Sequence, residues 1–278
     1  MATELGVHTV KPSAWMDRAR WLLKRYWVTM VSLIAVLGLW ELVTQARLVP
    51  RFLLPSPSSI LAAGIQFREV LVADAGVTTG EILLGFVAGS LVGLLLAIGI
   101  VFSRMIEQIV YPPAIITQVV PKLAVAPLFV VWFGVGVTPK VMITLLICLF
   151  PVLVNAVVGM RAVDPRMLDL MHSVDAGRWQ IFTKVEFPNA TPHVFAGLKV
   201  GITLAVVGAI VGEWLGSNIG LGYRILAADS ALRTDLLFAA ILVLSVVGVA
   251  LFGLVALAER LVIRGAQPID GAAAKGNL

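Results

Sequence analysis

Charge is scarce in this chain. Of its 278 residues only 13% are Asp, Glu, Lys or Arg, while 59% are hydrophobic, a balance that excludes an ordinary soluble domain and indicates an integral membrane protein. Cysteine is almost absent. Cys148 stands alone, so neither an intrachain disulfide nor a cysteine-based metal site is available. Histidine is limited to His8, His172 and His193. No HExxH pair exists to bind a catalytic zinc, and no GxxxxGK[ST] loop exists to cradle a nucleotide phosphate. A membrane enzyme therefore has no visible machinery, no cofactor or metal is expected in this chain, and the chain is not expected to hydrolyse ATP. No cleavable leader is expected either, because residues 1–11 are mildly polar and lack an apolar run ending at a small-residue site. The formal charge of +5 is scattered at the edges of apolar segments and forms no basic stripe, which argues against nucleic-acid binding.

What the chain has in abundance is apolar runs. A bilayer core takes about 20 residues of helix, and six stretches qualify: 27–46, 79–102, 109–133, 141–160, 194–215 and 236–261. The expected fold is all-α, with six transmembrane helices in a membrane domain spanning 27–263 and a flexible cytoplasmic tail over 264–278. With both termini on one side, thirteen Lys and Arg fall on that side against six on the other, which makes the termini cytoplasmic by the positive-inside rule. Within 1–26, Trp15, Ala19, Leu22, Leu23 and Tyr26 recur at helical spacing opposite Asp17, Arg18, Arg20, Lys24 and Arg25. Two readings fit: a helix lying on the cytoplasmic membrane face, or an extension of the first span.

The third run is unlike the others. Pro112, Pro113, Pro121 and Pro127 interrupt it, and Lys122 sits at its middle. Each proline removes a backbone donor, which lipid tolerates only where protein or a wet cavity satisfies the freed carbonyl. Lys122 is thus a candidate for a solute path, with snorkelling or ion pairing as the alternative. Glu213 and Asn218 are weaker candidates; Glu41, Glu81 and Glu213 lie near span ends, where an interfacial role suffices. Gly85, Gly89 and Gly93, and again Gly208, Gly212, Gly216 and Gly220, repeat every four residues, giving small faces for helix packing or, alternatively, a glycine-lined pore. Gly216 to Gly222 reads as a re-entrant or external turn.

The connection over 161–190 is too long for a simple helix-to-helix turn, which commonly takes about 2–8 residues. Asp164-Pro165 is an N-cap with proline at the first helical position, and Leu168, Met171 and Val174 follow at helical spacing. A break at Asp175-Ala176-Gly177 precedes a second apolar set, Ile181, Phe182 and Val185, closed by Pro188. Two short cytoplasmic helices are expected. Their apolar residues would be buried either in a groove of a partner protein or on the bilayer surface.

The stretch DLMHSVDAGRWQIFTKVEFP, 169–188, resembles the EAA motif of bacterial ABC importer permeases, the group that serves sulfonates, taurine, nitrate, thiamine precursors and riboflavin-like solutes. LLPSPSSI at 53–60, PKLAVAPLFVVWFGVG at 121–136 and VGEWLGSNIGLGY at 211–223 resemble the same family in the same order, and PKLAVAPLF is most similar to its pyrimidine, thiamine-precursor or riboflavin branch. The resemblance implies a multi-pass subunit of the bacterial inner membrane whose hairpin inserts into a soluble ABC ATPase, through Asp169, Leu170, Met171, Asp175, Ala176, Gly177, Arg178, Trp179, Phe182, Val185 and Pro188. It also implies an ATPase dimer that binds ATP and Mg, a second permease copy forming a homodimer, and a periplasmic or lipid-anchored solute-binding protein. Two departures stand out: Leu170 and Met171 replace the family's alanines, and Asp175 stands where its turn glycine belongs, with the turn either kept there or moved toward Gly177. The rival class, a secondary transporter or channel, would show inverted repeats or a string of intramembrane acids; neither is visible.

Overall fold

Apolar runs that must satisfy their own backbone in lipid have one open-ended solution, the α-helix, and every regular element among the described residues is helical. The computed structural model describes residues 14–50, 52–119 and 122–263, with side chains described at 27–50, 52–116 and 124–263. The tail expected over 264–278, the start of the N-terminal segment and the Lys122 side chain lie outside these. The chain forms two compact units, Met1–Ala62 and Ala63–Leu278.

In the first unit α1 (Ala14–Gln45) runs unbroken through the segment read as amphipathic and on through the first span. After it comes α2 (Pro57–Gln66), whose start explains the LLPSPSSI motif. Ser56 caps it, its hydroxyl accepting from the Ser59 N–H at 3.2 Å, and Pro57 occupies the first position, where a missing N–H costs nothing. Glu41 of α1 then accepts from the Ser58 N–H at 3.0 Å and from the Ser58 hydroxyl at 2.6 Å. Glu41 therefore caps a neighbouring helix.

The second unit contains α3 (Arg68–Phe102), α4 (Arg104–Val119), α5 (Lys122–Phe133), α6 (Val137–Arg161), α7 (Pro165–Ser173), α8 (Arg178–Ile181) with a π-turn over Phe182–Glu186, α9 (Phe187–Gly216), α10 (Leu221–Ser230) and α11 (Thr234–Val262). Five stretches are single helices long and apolar enough to cross a membrane: Trp27–Gln45, Arg68–Phe102, Val137–Arg161, Arg178–Gly216 and Thr234–Val262. The third expected span is instead two shorter helices, α4 and α5, with Pro112 and Pro113 inside one and Pro127 inside the other. Sequence spacing also places the start of α3 eleven residues late, at 79, because Arg68 to Thr78 is too polar to look like lipid-facing helix.

The most buried helix is α6, with Ile143, Cys148, Val152, Leu153 and Ala156 in the core. Glycines on both neighbours bring their backbones against it. A Cβ on Gly89 or Gly93 of α3 would lie 2.6 Å from the Leu145 carbonyl oxygen or 2.7 Å from that of Leu149. On α9, a Cβ at Gly208 would lie 2.9 Å from Thr144 Cα, and one at Gly212 2.9 Å from Lys140 Cα. These glycines make helix contacts and line no pore, as small-residue faces do where lipid supplies no hydrophobic drive.

Gly208→Val should overpack this contact at a cost of about 1–3 kcal/mol, lowering the thermal midpoint of the detergent-purified protein. Gly253→Val, with nothing within 4 Å of its Cβ, is the control. Equal midpoints for the two variants would contradict the packing described.

Candidate functional site

Two clusters of polar and aromatic side chains stand at opposite ends of α6. At its C-terminal end is the helical hairpin. Asp164 Oδ1 accepts from the Arg166 N–H at 2.9 Å and Pro165 opens α7, as the Asp-Pro spacing predicts. At the other end of α7 the Asp175 N–H donates to the His172 carbonyl and the Ala176 N–H to that of Met171, both at 3.0 Å. That pairing is a Schellman motif, which places its left-handed residue at Asp175, with φ of 54°. Glycine would hold this angle freely, whereas for an L-residue it costs about 1–2 kcal/mol, least for Asp and Asn. The turn stays at Asp175 and does not move to Gly177, which has φ of −66° and forms the N-cap of α8; Gln180 Oε1 accepts from the Gly177 N–H at 3.0 Å.

The side chains of this hairpin divide into two sets. No residue of α7 is buried. Met167, Leu170 and Val174 are exposed along one side of it, and Trp179 is 65% exposed, so an apolar ridge is open. Asp169, Asp175, Gly177, Arg178 and Pro188 are also exposed, while Met171, Ala176 and Val185 are half-buried, as is Leu168. Phe182 differs from the sequence expectation. It is only 5% exposed, packed with Met160, Leu153, Ile100 and Ala190 of its own chain, and so is not available to a partner. Helical spacing put Phe182 beside Trp179, and the rings do lie 5.5 Å apart, but Phe182 is the root that seats the hairpin on the bundle.

At the N-terminal end of α6, four helices meet in a polar knot. The four leading N–H groups at the start of α10 have no partner within that helix, and other helices satisfy each. The Gly220 N–H donates to Asp74 Oδ1 at 3.0 Å, the Leu221 N–H to Thr78 Oγ1 at 2.8 Å, and the Gly222 and Tyr223 N–H groups to Glu213 Oε2 at 2.6 and 3.2 Å. The Thr78 hydroxyl in turn donates to Glu213 Oε1 at 2.6 Å, and Asp74 Oδ2 pairs with Arg224 Nε at 2.8 Å. A Cβ on Gly220, whose φ is 110°, would run into the Glu213 carboxylate. This accounts for the VGEWLGSNIGLGY motif, in which the glutamate caps a helix and the glycines make room for it.

Glu213, expected as a weak solute-path residue, is 1% exposed with both oxygens engaged, so it is structural here. Asn218 is exposed in the turn before α10. The turn read after the fifth span is thus short, and the helix that follows it was not expected. Lys140 is buried at the start of α6, with Nζ 2.7 Å from Glu81 Oε1 and 2.7 Å from Ser217 Oγ. Lys199 of α9 pairs with Glu259 of α11 at 2.6 Å. Sequence reasoning missed Asp74, Thr78, Lys140 and Arg224, although Lys140 directly after Pro139 at the head of a long apolar run was a usable signal.

Breaking a buried pair strands a charge, at a cost of about 3–5 kcal/mol, whereas replacing both partners by apolar groups is often neutral. Lys140→Met should therefore reduce the yield of folded protein sharply, and adding Glu81→Leu should restore much of it. A folded, fully stable Lys140→Met single variant would contradict the pairing.

Comparison with known proteins agrees with this arrangement. A probable ABC transporter permease of Haemophilus influenzae is 36% identical over 217 residues, covering 78% of this chain and 89% of that protein. The riboflavin transport system permease RibX of Chloroflexus aurantiacus is 33% identical over 274 residues, 95% of this chain and 98% of that one. The formylaminopyrimidine transport permease ThiX of Halalkalibacterium halodurans is 33% identical over 227 residues, 81% and 90% of the two chains. The family of binding-protein-dependent transport system inner membrane components matches residues 89–264, a span that holds the glycine-packed α6, the hairpin and Glu213 with the start of α10, and the chain belongs to that family of membrane-embedded permeases.

Proposed function

We propose that this chain is the translocation subunit of an ABC importer and that its hairpin over 161–190 docks into a separate ATPase subunit. The observation that carries the reading is the ridge of Met167, Leu170, Val174 and Trp179, held open at one end of the bundle by the buried Phe182. An amphipathic helix with a rigid root and exposed apolar anchors is the form that inserts into a partner's groove. ATP and Mg belong to the ATPase; in this chain Asp169, Leu170, Met171, Ala176, Gly177, Val185 and Pro188 frame the docking surface. Two ATPases must close together, so two permease copies pair, as a homodimer. The hairpin and both termini lie in the cytoplasm and the α10 knot faces outward, toward a solute-binding protein. Lys122 at the start of α5 is the candidate for the solute path. Relatives named for riboflavin and formylaminopyrimidine transport favour a heterocyclic solute, which the ligand co-purifying with the cognate binding protein would identify.

Truncating an aromatic anchor at an interface commonly costs more than about 2 kcal/mol, or roughly thirty-fold in affinity. Trp179→Ala should release the ATPase on co-purification while the membrane domain stays folded; retention at wild-type level would remove the docking reading and leave a hairpin that rests on lipid. Asp175→Gly should keep the ATPase and raise the stability of the hairpin, because glycine takes the left-handed turn without strain. Reporter fusions at Ala2 and Gly271 should both read cytoplasm, and an external signal from either would overturn the orientation.

A further inference from the structure

Arg178 belongs, by resemblance, among the ATPase contacts, yet its guanidinium is committed elsewhere. Nη1 donates to Glu186 Oε1 at 2.6 Å, Nη2 donates to the Val101 carbonyl at 3.1 Å, and Cζ stands 5.1 Å from the centre of the Phe102 ring. These three groups lie on two different elements. Glu186 ends the π-turn that leads into α9, and Val101 and Phe102 form the last turn of α3, 77 residues away in sequence. The last four carbonyls of a helix have no partner inside it, and that end carries a partial negative charge. Ser103 N–H meets the Gly99 carbonyl, and Arg178 meets that of Val101. The second oxygen of Glu186 is buried without a hydrogen-bond partner among the described residues, so Arg178 is also what offsets that buried charge. Around this contact the rings close a cluster. Phe102 lies 4.9 Å from Phe182, edge to face, and 6.0 Å from Trp179, and Phe182 lies 5.7 Å from Phe187.

We propose that Arg178 is a positioning residue, a strut that fastens the hairpin to the end of α3 so that movement of the hairpin is delivered along α3, and that it does not serve as an ATPase contact. This rests on the docking reading above. At 1.5 Å per residue the 35 residues of α3 form a rod about 52 Å long, whose far end carries Asp74, Thr78 and Glu81 of the outer knot. Only arginine satisfies the geometry. A planar fork holds the carboxylate and the carbonyl together while lying on a ring, whereas lysine offers one point charge on a flexible stem.

The test uses the assembled complex of permease and ATPase. A spin label is placed at Val72→Cys, which is exposed on the far part of α3, and the buried native Cys148 stays unlabelled. The distance between labels in the two permease copies is measured without nucleotide and with ATP and orthovanadate. The otherwise unaltered complex should show a shift. Arg178→Ala and Phe102→Ala should each retain the ATPase within about twofold of the parent affinity and lose the shift, their double variant should be no worse than either, and Arg178→Lys should be intermediate. Loss of the ATPase from Arg178→Ala but not from Phe102→Ala would make Arg178 a direct contact and overturn the proposal, as would an unchanged shift in both. Where the shift is unchanged in Arg178→Ala and Phe102→Ala, Trp179→Ala separates the two readings: if it releases the ATPase only the strut fails, and if it too leaves the ATPase bound and the shift intact the docking reading falls with it. Should Phe102→Ala not fold, Phe102→Leu keeps the apolar volume and removes only the ring contacts.

Discussion

A helix that ends within or beside a bilayer leaves backbone donors and acceptors that water does not reach, and most of the specific chemistry in this permease answers that constraint. The carboxylate of Glu41 meets the start of α2. Asp74, Thr78 and Glu213 together meet the first donors of α10. Arg178 meets the end of α3. In each case the sign of the charge matches the helix end, anions at the N-terminus and a cation at the C-terminus, so the macrodipole and the hydrogen bond act together. Four of the chain's scarce charged residues, Glu41, Asp74, Glu213 and Arg178, thus join one helix to the end of another.

Such caps reach their targets only because the helices approach closely. The glycine faces of α3 and α9 bring both backbones against α6, and the distances at Gly89 and Gly208 leave no space for a side chain. With larger residues there, Asp74 and Thr78 on α3 and Glu213 on α9 would be too far apart to share one helix start. Dispersion between bare backbones therefore sets the frame, and polar contacts at its two ends fix the register of α3, α6, α9 and α10.

Much of this was readable in the chain itself where a signal is local. Apolar length located three of the long spans closely and started α3 and α9 late, Asp164-Pro165 marks the start of α7, and the proline-rich third run divides into two helices. What could not be read has no local period. A glutamate that caps a different helix looks, in sequence, like any acid near a span end, so Glu213 reads either as a path residue or as an interfacial one. Lys140 carries the same ambiguity, since a cation at the head of an apolar run is equally a loop charge or half of a buried pair. Phe182 shows the limit of helical spacing. Three positions from Trp179 implies a shared face, but only the packing of α3 and α6 decides which ring is buried. The family resemblance supplied the partner and the docking loop, which periodicity alone left divided between a protein groove and a lipid surface.

The π-turn over Phe182–Glu186 joins the hairpin to α9 with five residues per hydrogen-bonded step where an α-helix uses four. One extra residue advances the phase of everything beyond it by about 100°. The aromatic root at the first residue of the turn, Phe182, and the glycine stripe of Gly197, Gly201, Gly208 and Gly212 beyond it are therefore clocked independently, each facing its own neighbour along what is otherwise one continuous rod. A single deletion there would turn one of these surfaces away from its partner, so this segment keeps time for the bundle by its length as well as by the Phe182 and Glu186 side chains it carries.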